Sequence, residues 1–475
     1  MGVGPMDRLK GEVIMEEKPE ATQELSRALK SRHVQLIAIG GTIGTGLFLG
    51  AGQSIHLAGP AIILVYMLTG LMCFLLMRAL GELLMSDLSQ HSFIDFIDRY
   101  VGPKTGFAVG WTYWVAWITI AMAEITAVGL YIKFWFPNIP QWIPGFIILL
   151  ILMGLNLVTV EAFGETEFWF SIIKIVAIIA LIVIGLVMVA FSVKTPAGHA
   201  SFGNLVRDGG FFAKGAKGFM LSFQMVVFAF VGIEMVGMTA SETADPKTVI
   251  PKAINEIPMR IILFYVGSLL VIMSIYPWSA VSPDSSPFVQ VFQNVGIKAA
   301  AGIINFVVLT AAASACNSSL FTTGRMLYSL TYDGKSRFSK KMSRLSKHQV
   351  PANALRFSTL VIALSVVLNY LFPAGVFTLI SSVATTCFIV IWGLIIVAHL
   401  RYRREQKAQH ATLGSFVMPL APITDYFVLA FLGFVALVML MKVETMVALI
   451  GAAVWFGALY IIKTMSDRKV TLADK

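Results

Sequence analysis

Charge is what this chain lacks most: Asp, Glu, Lys and Arg together make up 13% of 475 residues. Water-soluble domains carry about 25%, so a solvated globular enzyme of this length is excluded. Cysteine is almost absent. Cys73, Cys316 and Cys387 each lie inside an apolar segment, which excludes a disulfide framework and leaves them as small packing residues. The seven histidines are scattered and mostly fall in predicted loops. The chain has no HExxH, no P-loop and no His–Cys metal spacing, so the common metal-dependent and nucleotide-dependent enzyme classes have no foothold and no cofactor is expected. The first 32 residues are polar and lack an apolar h-region, which predicts a cytoplasmic tail rather than a cleavable signal.

What is present in excess is apolar surface, with 57% hydrophobic and 12% aromatic residues and a mean hydropathy of +0.80. Apolar runs of about 20 residues recur, each long enough to cross a hydrocarbon core of roughly 30 Å. The fold class is therefore an all-α polytopic membrane protein. We read twelve transmembrane helices at 34–56, 59–84, 105–134, 142–160, 166–192, 215–240, 256–281, 296–328, 354–372, 375–400, 423–441 and 444–463. They form one domain, 33–463, between tails 1–32 and 464–475. An even number of passes puts both termini on one side. With that side cytoplasmic, the outer loops hold only Lys133, Lys194, Arg207, Lys214, Lys217, Lys298 and Lys442 of the 36 basic residues, which is the positive-inside pattern of a plasma (inner) membrane protein. The net charge of +10 thus reflects inner loops and not nucleic-acid binding. The basic clusters 335–347 and 401–407 read as solvated faces against anionic lipid. Nothing in the pattern requires a partner chain, and a monomer suffices.

The most informative stretch is GGTIGTGLF at 40–48 in the first span. Each glycine weakens a helix by about 1 kcal/mol relative to alanine, and four in one span predict a break. Gly41 lies roughly 12 Å deep at about 1.5 Å per residue. Irregular backbone at that depth survives only where protein or a wet cavity encloses it. A helix that stops near Ile43 and restarts at Gly46 would offer orphan N–H groups and a positive dipole end to an anion, with Thr42, Ile43, Gly44, Thr45 and Gly46 lining the site. A second break is predicted at FAFVGIE, 228–234, in the span five places later. Unwound carbonyls near Phe228, Ala229, Phe230 and Val231 suit an ammonium group. An anion site facing a cation site describes a zwitterion, which points to an α-amino acid. The placement divides the chain into repeats 33–192 and 215–400 followed by scaffold helices 423–463, the pattern of a five-plus-five inverted repeat with broken helices 1 and 6 plus two additional helices.

Three buried ionisable residues require a reason. Lys174, within WFSIIKIVAII, costs at least about 2.5 kcal/mol at mid-bilayer unless it faces protein, water or carbonyls. Its roles are a fixed counter-charge tying span 5 to span 1 and to Ser314 or Ser318, or a titrating group in place of a bound sodium ion. Glu124 and Glu234 are candidate proton carriers, or structural acceptors for backbone freed by the breaks, and Glu124 is also a candidate substrate-binding residue. Arg78, Glu82, Glu242 and Arg325 lie nearer the inner surface and read as a structural or gate network. HSFIDFIDRY predicts an amphipathic helix on the inner face. Trp111, Trp114 and Trp117 read as packing.

SRHVQLIAIGGTIGTGLFLGAGQSIHLAGP at 31–60 resembles the amino acid–polyamine–organocation superfamily, specifically its bacterial amino acid transporters. The likeness continues through GWTYW (110–114), FGETEFWFSIIKIVAI (163–178), FVGIEMVG (230–237), SETADP (241–246) and INFVVLTAAASACNSSLFTTGRML (304–327). It covers about residues 25 to 463. The resemblance implies a twelve-helix inverted-repeat fold and proton-driven import of a small neutral amino acid, with alanine, glycine or serine expected and D-forms included; the alternatives are an importer or exchanger of an aromatic amino acid, γ-aminobutyrate or a cationic amino acid, or an amino acid sensor. It assigns Gly44, Thr45 and Gly46 to the substrate carboxylate, Phe228 and Val231 to its amine through carbonyls, and Lys174 to the vacated sodium position, with Glu234 as the acid after the second break. The proton is the coupling ion.

Overall fold

The computed structural model describes residues 43–473 apart from 91, 159, 197, 239–244, 297, 333 and 374. The tail 1–32, Gly40, Gly41, Thr42 and Glu242 lie outside the described residues. Among those described the chain is almost wholly helical, and the strand pair is a short antiparallel hairpin, Lys194–Thr195 with Gly198–His199.

The first segment comprises α1 (Thr45–Phe48), one loosened turn at Leu49, and α2 (Gly50–Ala58). Gly59 ends it at φ 63°, and Pro60 opens a short 3-10 turn before α3 (Ile62–Ser86). A β-carbon on Gly59 would also press on Ala213 and Trp278 at 3.3 and 3.5 Å, so glycine is needed twice over. The amphipathic helix is α4 (Phe93–Val101). A Ser92/Asp95 capping box opens it, and it buries Phe93, Phe96, Ile97 and Tyr100 on one face. Arg401 closes it by donating to the Tyr100 and Val101 carbonyls at 3.0 and 3.3 Å.

Then come α5 (Pro103–Ile132), α6 (Trp142–Val158), α7 (Val160–Ala190), α8 (Gly215–Leu221) and α9 (Phe223–Phe228). After the second break, α10 (Met235–Met238), α11 (Pro246–Asn255) and α12 (Ile257–Arg260) lead through a π-helical stretch, Ile261–Gly267, into α13 (Ser268–Ile275). Apart from the short helices Pro287–Asn294 and Arg337–Met342, the remainder is α14 (Lys298–Thr331), α15 (Ala352–Ile362), α16 (Leu364–Leu371), α17 (Val376–Ala408), α18 (Ile423–Met439) and α19 (Val443–Ala473).

Helical segments occupy every predicted span that is described. Several extend further than the spans, with one beginning at Pro246 rather than 256, and α17 and α19 running to Ala408 and Ala473. Hydropathy marks where the bilayer ends, whereas helical hydrogen bonding continues into charged sequence beyond it. By length and composition, eight described segments can cross a membrane, with Thr45–Ser86 counted as one. Trp142–Val158, Gly215–Phe228 and Ile423–Met439 are shorter apolar helices.

Helix α5 is the axis of the molecule, packed along α14 and α17. Its apolar window is 83% buried, against 17% for the window in α19. The outer helices display Leu360, Tyr370, Leu437, Val454 and Ile461, a surface compatible with lipid and not with water.

Candidate functional site

The residues on the N-terminal side of the first predicted break, up to Thr42, lie outside the described ones, and from Ile43 on the backbone shows the restart. Gly44 is extended at φ −130° and ψ −158°, and the helix restarts at Thr45, one residue before the predicted Gly46. Leu47 and Phe48 N–H donate back to the Gly44 carbonyl, both at 3.2 Å. Thr45 N–H faces outward from the helix start and donates to Glu124 Oε1 on α5 at 3.3 Å. A carboxylate thus sits where an anion was expected, and it comes from the protein itself. The tight glycines explain the geometry. A β-carbon on Gly44 would lie 2.9 Å from Glu124 Oε1, and one on Gly46 would lie 2.6 Å from Ala229 Cα. The two breaks therefore touch backbone to backbone.

The second break runs through tight turns. Phe230, Val231, Ile233 and Met235 N–H donate to the carbonyls of Val227, Phe228, Phe230 and Gly232 at 3.0 to 3.3 Å. Gly232 takes φ 89°, beyond the reach of most side chains, and a β-carbon there would meet the Trp117 ring at 3.4 Å. The Ala229 carbonyl accepts from Tyr265 Oη at 3.2 Å.

Between the breaks lies a small cavity lined by Gly44, Gly46, Trp117, Ile120, Glu124, Phe228, Ala229, Val231 and Ala315. Glu124 Oε2, on a residue that lines it, is buried and makes no hydrogen bond among the described residues. Leaving such a group unsatisfied costs about 1–3 kcal/mol. A buried carboxyl group and an indole ring on the wall of a small cavity make it a candidate site for a small polar ligand. Trp117, Ile120 and Glu124 reach it from one face of α5.

A model of the amino acid permease family matches residues 33–472. The chain belongs to the amino acid permease family. Among its relatives, Amino-acid permease AapA of Bacillus subtilis is 54% identical over 94% of this chain and 96% of its own length. The D-serine/D-alanine/glycine transporter of Escherichia coli K12 is 48% identical over 94% and 95%. DL-alanine permease SerP2 of Lactococcus lactis is 46% identical over 91% and 94%. The permease is thus a transporter of the amino acid–polyamine–organocation type and a multi-pass membrane protein, not an enzyme.

The other predicted site residues divide into three groups. Ile43 and Thr45 are buried at the first break beside the cavity. Phe230 turns away and stacks on Tyr265, with ring centroids 4.8 Å apart, in the packing between Tyr66 of α3 and the π-helical stretch Ile261–Gly267. Glu234 is fully buried behind the second break, where Tyr113 Oη and Trp392 Nε1 donate to its two oxygens, each at 3.1 Å. Lys174 is also fully buried and donates to Ser314 Oγ at 3.0 Å, the partner expected for a counter-charge on α14.

Sequence reasoning missed Glu167. It lies seven residues before Lys174 on α7, two turns away on the same face, and accepts from Ser314 Oγ at 2.8 Å and Asn317 Nδ2 at 3.0 Å. The seven-residue spacing was the available signal. Trp117 was read as packing but borders the cavity. Its spacing from Glu124, also seven, carried the same information. Trp114 does pack, stacked on Phe357 and donating to Ser358 Oγ at 3.1 Å.

His399, inside the span predicted at 375–400, is fully buried in α17. Its Nδ1 lies 2.7 Å from Asp425 Oδ1, and its Nε2 lies 3.2 Å from Glu82 Oε2. Arg403 adds Nε and Nη2 to Glu82 at 2.6 and 2.8 Å. Arg78, predicted beside Glu82, instead donates to Asn255 Oδ1 at 3.0 Å and stacks 3.9 Å over Phe416. This cluster clamps α3, α17 and α18 together, as a structural ion network should.

Proposed function

We propose that the permease imports small neutral amino acids, namely alanine, glycine and serine with D-forms included, by proton symport through alternating access. The observation that carries this reading is the cavity between the two helix breaks. A backbone N–H beside it, that of Thr45, already donates to a carboxylate, and Glu124 Oε2 on its wall is buried without a hydrogen-bond partner among the described residues. The substrate carboxylate takes the Thr45 N–H that Glu124 now occupies, together with the Gly46 N–H. The substrate amine takes the carbonyls of Phe228 and Val231 on the facing break. Trp117, Ile120 and Ala315 leave room for only a short side chain, in keeping with relatives named for D-serine, D-alanine and glycine and for DL-alanine.

Displacing Glu124 from Thr45 strands a carboxyl group in apolar surroundings, a step that favours its protonation and couples substrate to a proton. Lys174 supplies the fixed or titrating charge beside it, and Glu234 braces the second break. We place twelve passes in the bilayer of the cell membrane, with Thr45–Ser86 crossing twice about Gly59. Its 42 residues would span about 63 Å as one helix, twice the hydrocarbon thickness. Both termini are cytoplasmic, the halves form the inverted repeat, and α18 and α19 are the added scaffold.

The test is thermal unfolding of the purified permease against a panel of L- and D-amino acids. At a hundredfold excess over Kd a ligand stabilises by about 2.7 kcal/mol. Alanine, glycine and serine are expected to raise the midpoint. A rise with aromatic or cationic amino acids alone would contradict the substrate class.

A further inference from the structure

We propose that Glu167 is a proton-handling residue of the transport cycle, the acceptor to which Lys174 passes its proton through the Ser314 hydroxyl. The inference rests on the proton-coupling reading above and extends it to a residue outside the substrate cavity.

The direction of the hydrogen bonds fixes the chain. An ammonium group only donates, so Ser314 Oγ must accept from Lys174 Nζ at 3.0 Å. The single hydroxyl hydrogen is then free for Glu167 Oε2, at 2.8 Å. Lysine, serine and glutamate are thus aligned donor to acceptor, with relative exposures of 0%, 1% and 0%. A shift along the line breaks one Lys174 N–H bond and forms a bond to Ser314 Oγ. The original Ser314 hydrogen passes to Glu167. Ammonium and carboxylate become amine and carboxylic acid, with no change in net charge and no other reactant. Two charges held apart in a dry interior each carry a desolvation cost of several kcal/mol that their attraction offsets. The charged and neutral forms can therefore lie close in energy, which a relay requires.

The surroundings hold Glu167 in place. Asn317 Nδ2 donates to its Oε1 at 3.0 Å, and Asn317 Oδ1 accepts from Asn156 Nδ2 at 2.7 Å. Asn156 borders a second cavity, which Phe163, Phe321, Arg325 and Gln349 also line. The polar column thus runs from Lys174 toward a second space distinct from the substrate cavity. The amides orient the carboxylate and carry no proton themselves. The other groups facing this unit are Glu124 on α5, whose field reaches Lys174, the Cys316 thiol on α14, and Arg325 at the second cavity.

The experiment compares wild type, Glu167→Gln, Ser314→Ala and Ser314→Thr in liposomes. It measures gradient-driven accumulation of labelled alanine and, separately, counterflow exchange, which moves no net proton. Loss of a proton-transfer group costs about a hundredfold, so Glu167→Gln and Ser314→Ala should lose accumulation by that order. Counterflow should stay within about threefold in both, and Ser314→Thr, which keeps the hydroxyl, should restore accumulation. Wild-type accumulation in Glu167→Gln would overturn the proposal. So would parallel loss of counterflow and accumulation in both Ser314 variants, the outcome of a purely structural role. Failure of the wild type itself to accumulate alanine would instead refute proton coupling.

Discussion

At the residue scale, the contact between Gly46 and Ala229 decides how closely the two breaks approach. A β-carbon 2.6 Å from a backbone atom cannot be relieved by a rotamer change, so Gly46→Ala must push the breaks apart, at an overpacking cost of about 1–3 kcal/mol. Alanine affinity should fall by about tenfold or more, since about 1.4 kcal/mol is tenfold. Gly433→Ala, where a β-carbon meets nothing within 4 Å, is the control and should leave affinity unchanged. Equal affinities in the two variants would refute the contact. The same packing means that a Gly46 variant reports on the hinge as well as on carboxylate recognition. Glu124 gives a second prediction. Because its oxygen holds Thr45 N–H, substrate must displace it, and displacement is easier once the group carries a proton. Alanine binding should therefore strengthen as the pH falls, and Glu124→Gln should flatten that dependence. Calorimetric titration across pH checks it, and an unchanged slope in the variant would remove Glu124 from coupling.

At the element scale, the strongest tie is the cluster joining α3, α17 and α18. Glu82 accepts from Arg403 and from Met418 N–H at 2.6 Å, with the His399 ring 3.2 Å away. Breaking a buried pair leaves uncompensated charge and costs about 3–5 kcal/mol. Glu82→Ala should lower the thermal midpoint sharply, and Glu82→Gln less. Unchanged melting would show the cluster to be solvated. Much of the element plan was legible because a membrane helix has few reasons to carry glycine clusters or charge. GGTIGTGLF, FAFVGIE and Lys174 had no cheap explanation inside apolar runs, and at these places the structure has a helix start after Gly44, tight turns from Val227 to Met235 and a hydrogen bond from Lys174 to Ser314. What was illegible depended on direction. Whether the helix restarts at Gly46 or Thr45, whether Phe230 points into the cavity, and whether His399 meets Asp425 are set by packing between helices distant in sequence. Glu167 and Trp117 were within reach, since each shares a helix face with a residue already singled out.

At the scale of the whole molecule, α5 forms an axis on which both breaks lean. Glu124 engages the first break, and Trp117 walls the second through Gly232. Tyr113, also on α5, holds Glu234 beyond that break. A ligand bridging the breaks would therefore draw the two halves together about α5, which is the motion alternating access needs. The polar column from Lys174 through Ser314 to Glu167 ties α7 to α14. The most direct test is uptake of labelled alanine by liposomes holding only this protein, with and without an imposed inward proton gradient and with no substrate inside. The account predicts accumulation above the external concentration only with the gradient, together with acidification of the interior. Equal uptake in the two conditions, reaching no more than equilibration, would contradict it.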